Sequence, residues 1–581
     1  MGAERDIIRR LRRYISIKPL RRADLLHNVS PTPTPQNVRG SGRVLCVRAQ
    51  SPIVDLGYAQ YQGTVSPANI SHFLGIRYAA APIGDFRFRA PQPPTNDTGL
   101  QYATVQPNQC FQASINGVDA NGLAPTNPLE TRAAEVIIST EDCLFLNAYY
   151  PSDTAGTPVE DLPVLVWIHG GGYVAGRASL YDGEDVINQS NRGIVVVIIQ
   201  YRLGVFGFLP GAEVKKNGAL NAGLLDQDFA LRWVNKYIAK FGGDPARVTI
   251  WGESAGVGSV LQHIVANNGK TQPQLLRGAI TSSTFLSSQY EYNDRIPELL
   301  YSEVVVQANC TSATDLFSCL QTANATVLET ANTQITISGF YGTYLFVPVV
   351  DGSFITQRPT VSLLQGAVNG EMLLSVTNTF EGTSFVNQST GDTANATQYA
   401  LDLFPSFGPA QANKVGSLYA GLGTQLFQES AIIGESTLIC PTYYLLRAFH
   451  GRAFKVGDPE LHDFVGPNLH ARPGRVRDPP GLHSYDVPYY FPSIVTPLFQ
   501  NTSFINAFAQ SFTSFGISLN PNVKIDPTTI TPPWKKWEAG HTEMLFNETA
   551  AGLPLVEPVE TSDALLERCQ FWVSVANLTA Q

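Results

Sequence analysis

The chain has 581 residues, of which 44% are hydrophobic, 10% aromatic and 15% charged, a globular composition with enough length for a large core. A formal net charge of -9 weighs against nucleic acid as the main partner of the body, and no run of about 18 apolar residues is present to span a membrane. Low charge together with many Tyr, Phe, Gly and Pro residues fits a secreted protein.

Residues 1–53 differ in composition from the rest of the chain. Arg9, Arg10, Arg12, Arg13, Arg21 and Arg22 cluster ahead of Pro31, Pro33 and Pro35, with too little apolar sequence to bury, which predicts a disordered basic arm. Two alternatives stay open. Ile8, Leu11 and Ile15 share one helical face among arginines, as in a transit peptide, although Glu4 and Asp6 oppose it; or an incorrect gene start has put the arm in place of a secretory signal.

From Val54 onward one domain, residues 54–581, is predicted. Residues 58–63 and 73–78 alternate like strands, and Pro82-Ile83-Gly84-Asp85-Phe86-Arg87-Phe88 forms a turn with aromatic anchors. The stretch between Cys110 and Cys143 is polar and carries glycines; held as a loop by a disulfide, it would serve as a lid. Residues 162–168 form a buried-type strand running straight into His169-Gly170-Gly171-Gly172-Tyr173. The unbroken β-branched run 194–199 predicts a central parallel strand. Residues 223–241 predict a helix that buries Ala230, Trp233, Val234, Tyr237, Ile238 and Phe241 and stops at Gly242-Gly243. A strand over 248–251 then leads into Gly252-Glu253-Ser254-Ala255-Gly256 and a second helix.

Further on, residues 371–376 predict a strand ending at Thr377-Asn378-Thr379-Phe380-Glu381-Gly382. Residues 456–480 are charged and proline-bearing, which reads as a surface insertion or a gene-model error, and Gly481-Leu482-His483-Ser484-Tyr485-Asp486 comes next. A helix is expected around 564–573. Strands alternating with helices in this order predict an α/β fold with a parallel sheet and crossover helices.

The chemistry centres on Ser254. A G-x-S-x-G turn from strand to helix reverses so tightly that a Cβ on either flank would clash, and it lifts the serine hydroxyl above the sheet edge. Such a hydroxyl needs a histidine base steadied by a carboxylate, and main-chain N–H groups for the oxyanion that forms. The glycine run makes Gly171 and Gly172, with Ala255, the candidate oxyanion donors. The order Ser, acid, His is met by Glu381 and His483, while His450, His462, His470 and His541 also lie downstream, with His541 the main rival. His263 stands two turns along the helix after Ser254, too far to serve, and His169 more naturally holds its own loop.

Seven cysteines contain no C-x-x-C pair, so neither zinc nor thioredoxin-type chemistry is expected, and no metal or cofactor is called for. Cys310 and Cys319 are near enough for a local disulfide, and the odd count leaves one cysteine over. Asn-x-Ser/Thr sequons at Asn69, Asn96, Asn188, Asn309, Asn324, Asn387, Asn395, Asn501, Asn547 and Asn577 also favour a secretory route.

From about Val54 to its end the chain resembles the type-B carboxylesterase/lipase family, which includes fungal secreted lipases, carboxylesterases and cholinesterases. The resemblance is carried by Pro82-Ile83-Gly84 with Arg87-Phe88, Glu141-Asp142-Cys143-Leu144-Phe145-Leu146-Asn147, Tyr201-Arg202-Leu203-Gly204, Gly223-Leu224-Leu225-Asp226-Gln227, Phe241-Gly242-Gly243-Asp244-Pro245 and Gly252-Glu253-Ser254-Ala255-Gly256. It implies an α/β-hydrolase fold with a large, mostly parallel central sheet flanked by helices, and a carboxylic ester hydrolase. It further implies Ser254 as nucleophile, Glu381 as acid, His483 as base, and Gly171, Gly172 and Ala255 as the oxyanion hole. The disulfides it implies are Cys110 with Cys143 and Cys310 with Cys319; Cys46, Cys440 and Cys569 are left without assigned partners. An insertion at 456–480 that displaced the next turn would misplace His483. Residues 111–142 contain no Trp to receive a quaternary ammonium, which disfavours choline esters. The expected partners are small-molecule or lipid esters, with transient lipid-surface contact through the 110–143 loop. The reading from another class is a non-catalytic binding protein on the same fold.

Overall fold

Eleven strands make one mixed sheet: β1 (Thr64–Val65), β2 (Ile70–Arg77), β3 (Phe145–Pro151), β4 (Leu162–Ile168), β5 (Val195–Ile199), β6 (Gly243–Glu253), β7 (Gly278–Ser282), β8 (Met372–Val376), β9 (Ala453–Gly457), β10 (Thr542–Glu548) and β11 (Pro554–Glu560). The structure is a computed structural model that describes residues 51–113, 137–457, 481–549 and 551–581. Almost all of the basic arm, most of the 110–143 loop and nearly all of the 456–480 insertion therefore lie outside the described residues.

Across the sheet the order is β11-β10-β9-β8-β7-β6-β4-β5-β3-β2-β1. Every pair from β5 to β10 is parallel. Antiparallel pairs close both edges. The β-branched run expected to be a central parallel strand is β5, and it sits at the changeover, parallel to β4 and antiparallel to β3.

Successive side chains on a strand point to opposite faces, so a strand buried on both faces needs apolar residues throughout. Val164, Val166 and Ile168 of β4 join one core, with Val195, Val197 and Ile199 of β5, while Leu165, Trp167, Val196 and Ile198 join the other. Helix α1 (Ala222–Tyr237) and helix α2 (Ala255–Gly269) cover the first face. The helix predicted over 223–241 is α1 followed by a 3-10 turn (Ile238–Phe241), and Gly242, at φ +80°, ends it. Two further helices, α3 (Gln425–Gly434) and α4 (Cys440–Ala448), lie ahead of β9. Helix α5 (Thr502–Ser518) covers the other face with Phe504, Phe508, Phe512 and Phe515. Helix α6 (Asp563–Ser574) is the one expected around 564–573.

Three disulfides staple the described body: Cys110–Cys143, Cys310–Cys319 and Cys440–Cys569. The first two are the pairs implied by the resemblance. The third joins α4 to α6 across 129 residues of sequence, and Cys46 lies outside the described residues. Beside it, Arg568 of α6 reaches the fully buried Glu435 with Nη2–Oε1 2.8 Å, and Tyr419 Oη donates to Glu435 Oε2 at 2.6 Å. Trp572 Nε1 donates to Tyr419 Oη at 2.8 Å and completes the network. No helix among the described residues is long and apolar enough to cross a membrane.

Removing one partner of a buried ion pair strands the other charge. Arg568→Met is expected to cost about 3–5 kcal/mol of stability. Glu435→Leu/Arg568→Met should recover most of that loss, a difference that scanning calorimetry of the two variants would register.

Candidate active site

Strand β6 ends at Glu253, and Ser254 turns the chain into α2 with φ 57° and ψ -126°, a conformation that costs energy outside glycine. The reversal leaves no room beside it. A Cβ on Gly252 would sit 2.6 Å from the main-chain carbon of Gly256, and one on Gly256 would collide with the Ile168 carbonyl. The Ser254 N–H donates to the Ser282 carbonyl at 3.1 Å, fixing the turn to the end of β7.

Gly171 and Gly172 follow β4 with φ +100° and +63°, which glycine adopts without strain. A side chain on Gly172 would run into the ring of Tyr344. Among the described residues no hydrogen bond takes the N–H of Gly171, Gly172 or Ala255. The last of these stands at the N-terminus of α2, where the helix dipole also favours negative charge.

Glu381 lies just beyond β8 and is fully buried. The glycine after it, Gly382, packs so closely on α3 that a Cβ would collide with the Ser430 carbonyl. Its carboxylate accepts from the Asn378 N–H at Oε1, 2.7 Å, and stands 2.6 Å from His483 Nδ1 at Oε2. The histidine turn is pinned alongside: the Phe380 N–H donates to the Gly481 carbonyl at 2.9 Å, and Phe380 pairs with Leu482 as a parallel bridge. Phe385 packs edge-on against the imidazole with ring centroids 4.9 Å apart. The insertion before this turn has not separated His483 from Glu381.

Of the other histidines, His541 is exposed and stacks on Trp537 at 4.6 Å, and His450 is an exposed residue after α4. His263 is buried against Gln227, and burial lowers its pKa to about 4. Burial lowers His169 to about 4 as well; the ring stacks on Tyr201, so it holds its own loop, as expected. His462 and His470 lie outside the described residues.

The far nitrogen of His483 is buried without a hydrogen-bond partner and stands 3.3 Å from Glu253 Oε1. No hydrogen bond joins it to Ser254 Oγ. The geometry thus unites the predicted base and acid, and sets both beside the residue preceding the predicted nucleophile.

Sequence reasoning assigned no task to Glu253, Ser484, Asn378 or Asp486. Ser484 Oγ donates to Glu253 Oε1, and burial raises the Glu253 carboxyl to about 7 against the pull of His483. Asp486 accepts from Asn378 Nδ2 at 3.1 Å and from Tyr490 Oη at 3.0 Å, and burial raises its pKa too. Burial alone would lower His483. The Glu381 hydrogen bond, with the charges of Glu381, Glu253 and Asp486, outweighs that and lifts it to about 8. The N-x-x-E-G spacing of Asn378 with Glu381 and the H-x-x-D spacing of His483 with Asp486 were the sequence signals that could have flagged two of these residues. Among the described residues no group of three or more His, Cys, Asp or Glu side chains is placed to hold a metal ion.

A model of the carboxylesterase family matches residues 50–407, a span that holds Ser254 and Glu381 and ends ahead of His483. Secreted lipase 1 of Botryotinia fuckeliana (strain B05.10) is 35% identical over 354 residues, 58% of this chain and 61% of that protein. Lipase 4 of Diutina rugosa is 31% identical over 65% of this chain and 74% of its own length. Carboxylesterase patB of Aspergillus clavatus is 29% identical over 91% of this chain and 96% of its own length. The crystal structure of Aspergillus niger EstA superposes with a TM-score of 0.76 at 29% identity, over 92% of this chain and 99% of that one. A thermophilic PNB esterase gives 0.70 at 26% identity over 90% and 100%. The chain therefore belongs to the carboxylesterase family, a family of carboxylic ester hydrolases on the α/β-hydrolase fold, as its motifs led one to expect.

Proposed function

We propose that the protein is a secreted serine esterase of lipase-like or general specificity, working through an acyl-enzyme on Ser254. The observation that carries this reading is the buried Glu381–His483 pair, 2.6 Å from carboxylate to imidazole, set beside the strained turn of Ser254. His483 Nδ1 donates to Glu381, which fixes the tautomer and leaves Nε2 with its lone pair free to act as base. Ser254 Oγ attacks the ester carbonyl carbon while Nε2 takes its proton. The carbonyl oxygen gains the negative charge and turns to the N–H groups of Gly171, Gly172 and Ala255. The C–O bond to the alcohol then breaks, and His483 returns the proton to the leaving alkoxide. Water attacks the acyl-enzyme by the same route, releasing the carboxylic acid and restoring Ser254. The absence of a Ser254–His483 hydrogen bond fits a resting enzyme, since such bonds tighten when substrate is bound.

Three disulfides and the secreted relatives support an oxidising, extracellular setting. Small-molecule or lipid esters are the substrate class, and the 110–143 loop is the part proposed to touch a lipid surface. Choline esters are disfavoured by its lack of Trp.

Ser254→Ala should lower p-nitrophenyl butyrate hydrolysis by on the order of 10⁴-fold or more while circular dichroism stays unchanged. A fluorophosphonate should label Ser254 in the parent protein; no labelling at all would favour a non-catalytic binder. The base must be neutral, so with His483 at about 8 the kcat/KM profile should fall as pH drops below about 8. Glu253→Gln removes a nearby negative charge that favours the imidazolium, and should move that limb to lower pH. A limb that stays where it was would show that Glu253 does not act on the imidazole.

A further inference from the structure

The Asn378 side chain lies at a junction that the proposed reaction does not use. Its Nδ2 donates both hydrogens, to Ser283 Oγ at 3.1 Å and to Asp486 Oδ1 at 3.1 Å, while its main-chain N–H donates to Glu381 Oε1 at 2.7 Å. We propose that Asn378 is a positioning residue: its amide, gripped by Ser283 and Asp486, sets the main-chain N–H that holds Glu381 against His483. The inference rests on the reading of Glu381 as the acid that orients His483.

Both ends of the grip are themselves anchored. Ser283 is fully buried just past β7, its N–H donates to the Val376 carbonyl at 2.9 Å, and the preceding carbonyl, of Ser282, holds the Ser254 N–H. Asp486 accepts from Tyr490 Oη, which stands 3.4 Å from Ser282 Oγ, and Trp251 Nε1 donates to that same hydroxyl at 3.2 Å. One polar lattice thus ties together the turns bearing Ser254, Glu381 and His483.

Residue chemistry at each point fits the task. A nitrogen carrying two hydrogens bridges two diverging acceptors, which neither a serine nor a carboxylate does; Asp at 378 would also face Asp486 with like charge. Ser283 sits at φ 62°, where glycine would be relaxed. What serine has there and glycine lacks is a hydroxyl, and that hydroxyl is what takes the Asn378 amide.

This separates positioning from stability. A residue kept for stability loses melting temperature when replaced, whereas Ser283→Gly relieves backbone strain while deleting the grip. With p-nitrophenyl butyrate as substrate, Ser283→Gly and Asn378→Ala should each lower kcat about tenfold with KM unchanged, through misplacement of the acid. Ser283→Gly should melt no lower than the parent, and the double variant should lose no more kcat than Asn378→Ala alone, because both act through one amide. Parent-like kcat in both single variants, beside a Glu381→Gln protein that has lost turnover, would overturn the clamp and leave the acid in place. So would a kcat loss in Ser283→Gly that only accompanies a lower melting temperature. Full turnover in Glu381→Gln would overturn the acid assignment and the clamp with it.

Discussion

A carboxylate removed from water must be met inside the fold by donors or a cation, or it takes up a proton. Glu381 is fully buried, and it is met on one oxygen by the His483 imidazole and on the other by the Asn378 N–H. That pairing joins residues 102 apart in sequence, and it constrains much of the architecture. Parallel strands end at one edge of the sheet, so the segments leaving β4, β6, β7 and β8 emerge together. Glycines 171–172 follow β4, Ser254 follows β6, Ser283 follows β7 and Glu381 follows β8. The doubly buried strands, with Trp167 and Trp251 in one core and Val166 and Ile250 in the other, hold those ends in register.

The features legible from the sequence are those whose physics is local. The serine turn declared itself because glycine is required on both flanks, and the structure gives the reason in the Gly256 backbone and the Ile168 carbonyl. Strands β4 and β8 and helix α1 were legible because burial imposes its own periodicity. Choosing among histidines was another matter. Spacing left His541 as a rival, and only its exposed stack on Trp537 parts it from His483, which faces Glu381. The Cys440–Cys569 bridge was hidden for a similar reason, since 129 residues separate its ends and nothing local marks them as partners.

Residues whose roles arise from three-dimensional company left almost no trace. Glu253 occupies the first of the two free positions of G-x-S-x-G, and that pattern says nothing about the side chain that lies 3.3 Å from His483 Nε2. Ser283 reads as the second of two adjacent serines, and only its positive φ together with the Asn378 contact gives it meaning. Periodicity reports which face is buried; it does not report which neighbour is met there.

Glu253, Glu381 and Asp486, all three buried, surround a single imidazole. Three full negative charges against one positive charge would be unstable there, and the structure disperses them. Burial pushes Glu253 to about 7 and raises Asp486, while Ser484, Tyr490 and Asn378 supply donors to the oxygens. The same arrangement lifts His483 to about 8, so the histidine that holds Glu381 most firmly, in its protonated form, is unable to accept a proton from Ser254. For the proposed acid and the proposed base, firm holding of the one and readiness of the other thus pull in opposite directions. A neutral donor such as the Asn378 N–H resolves part of that conflict, because it steadies Glu381 without adding a charge that the imidazole must answer.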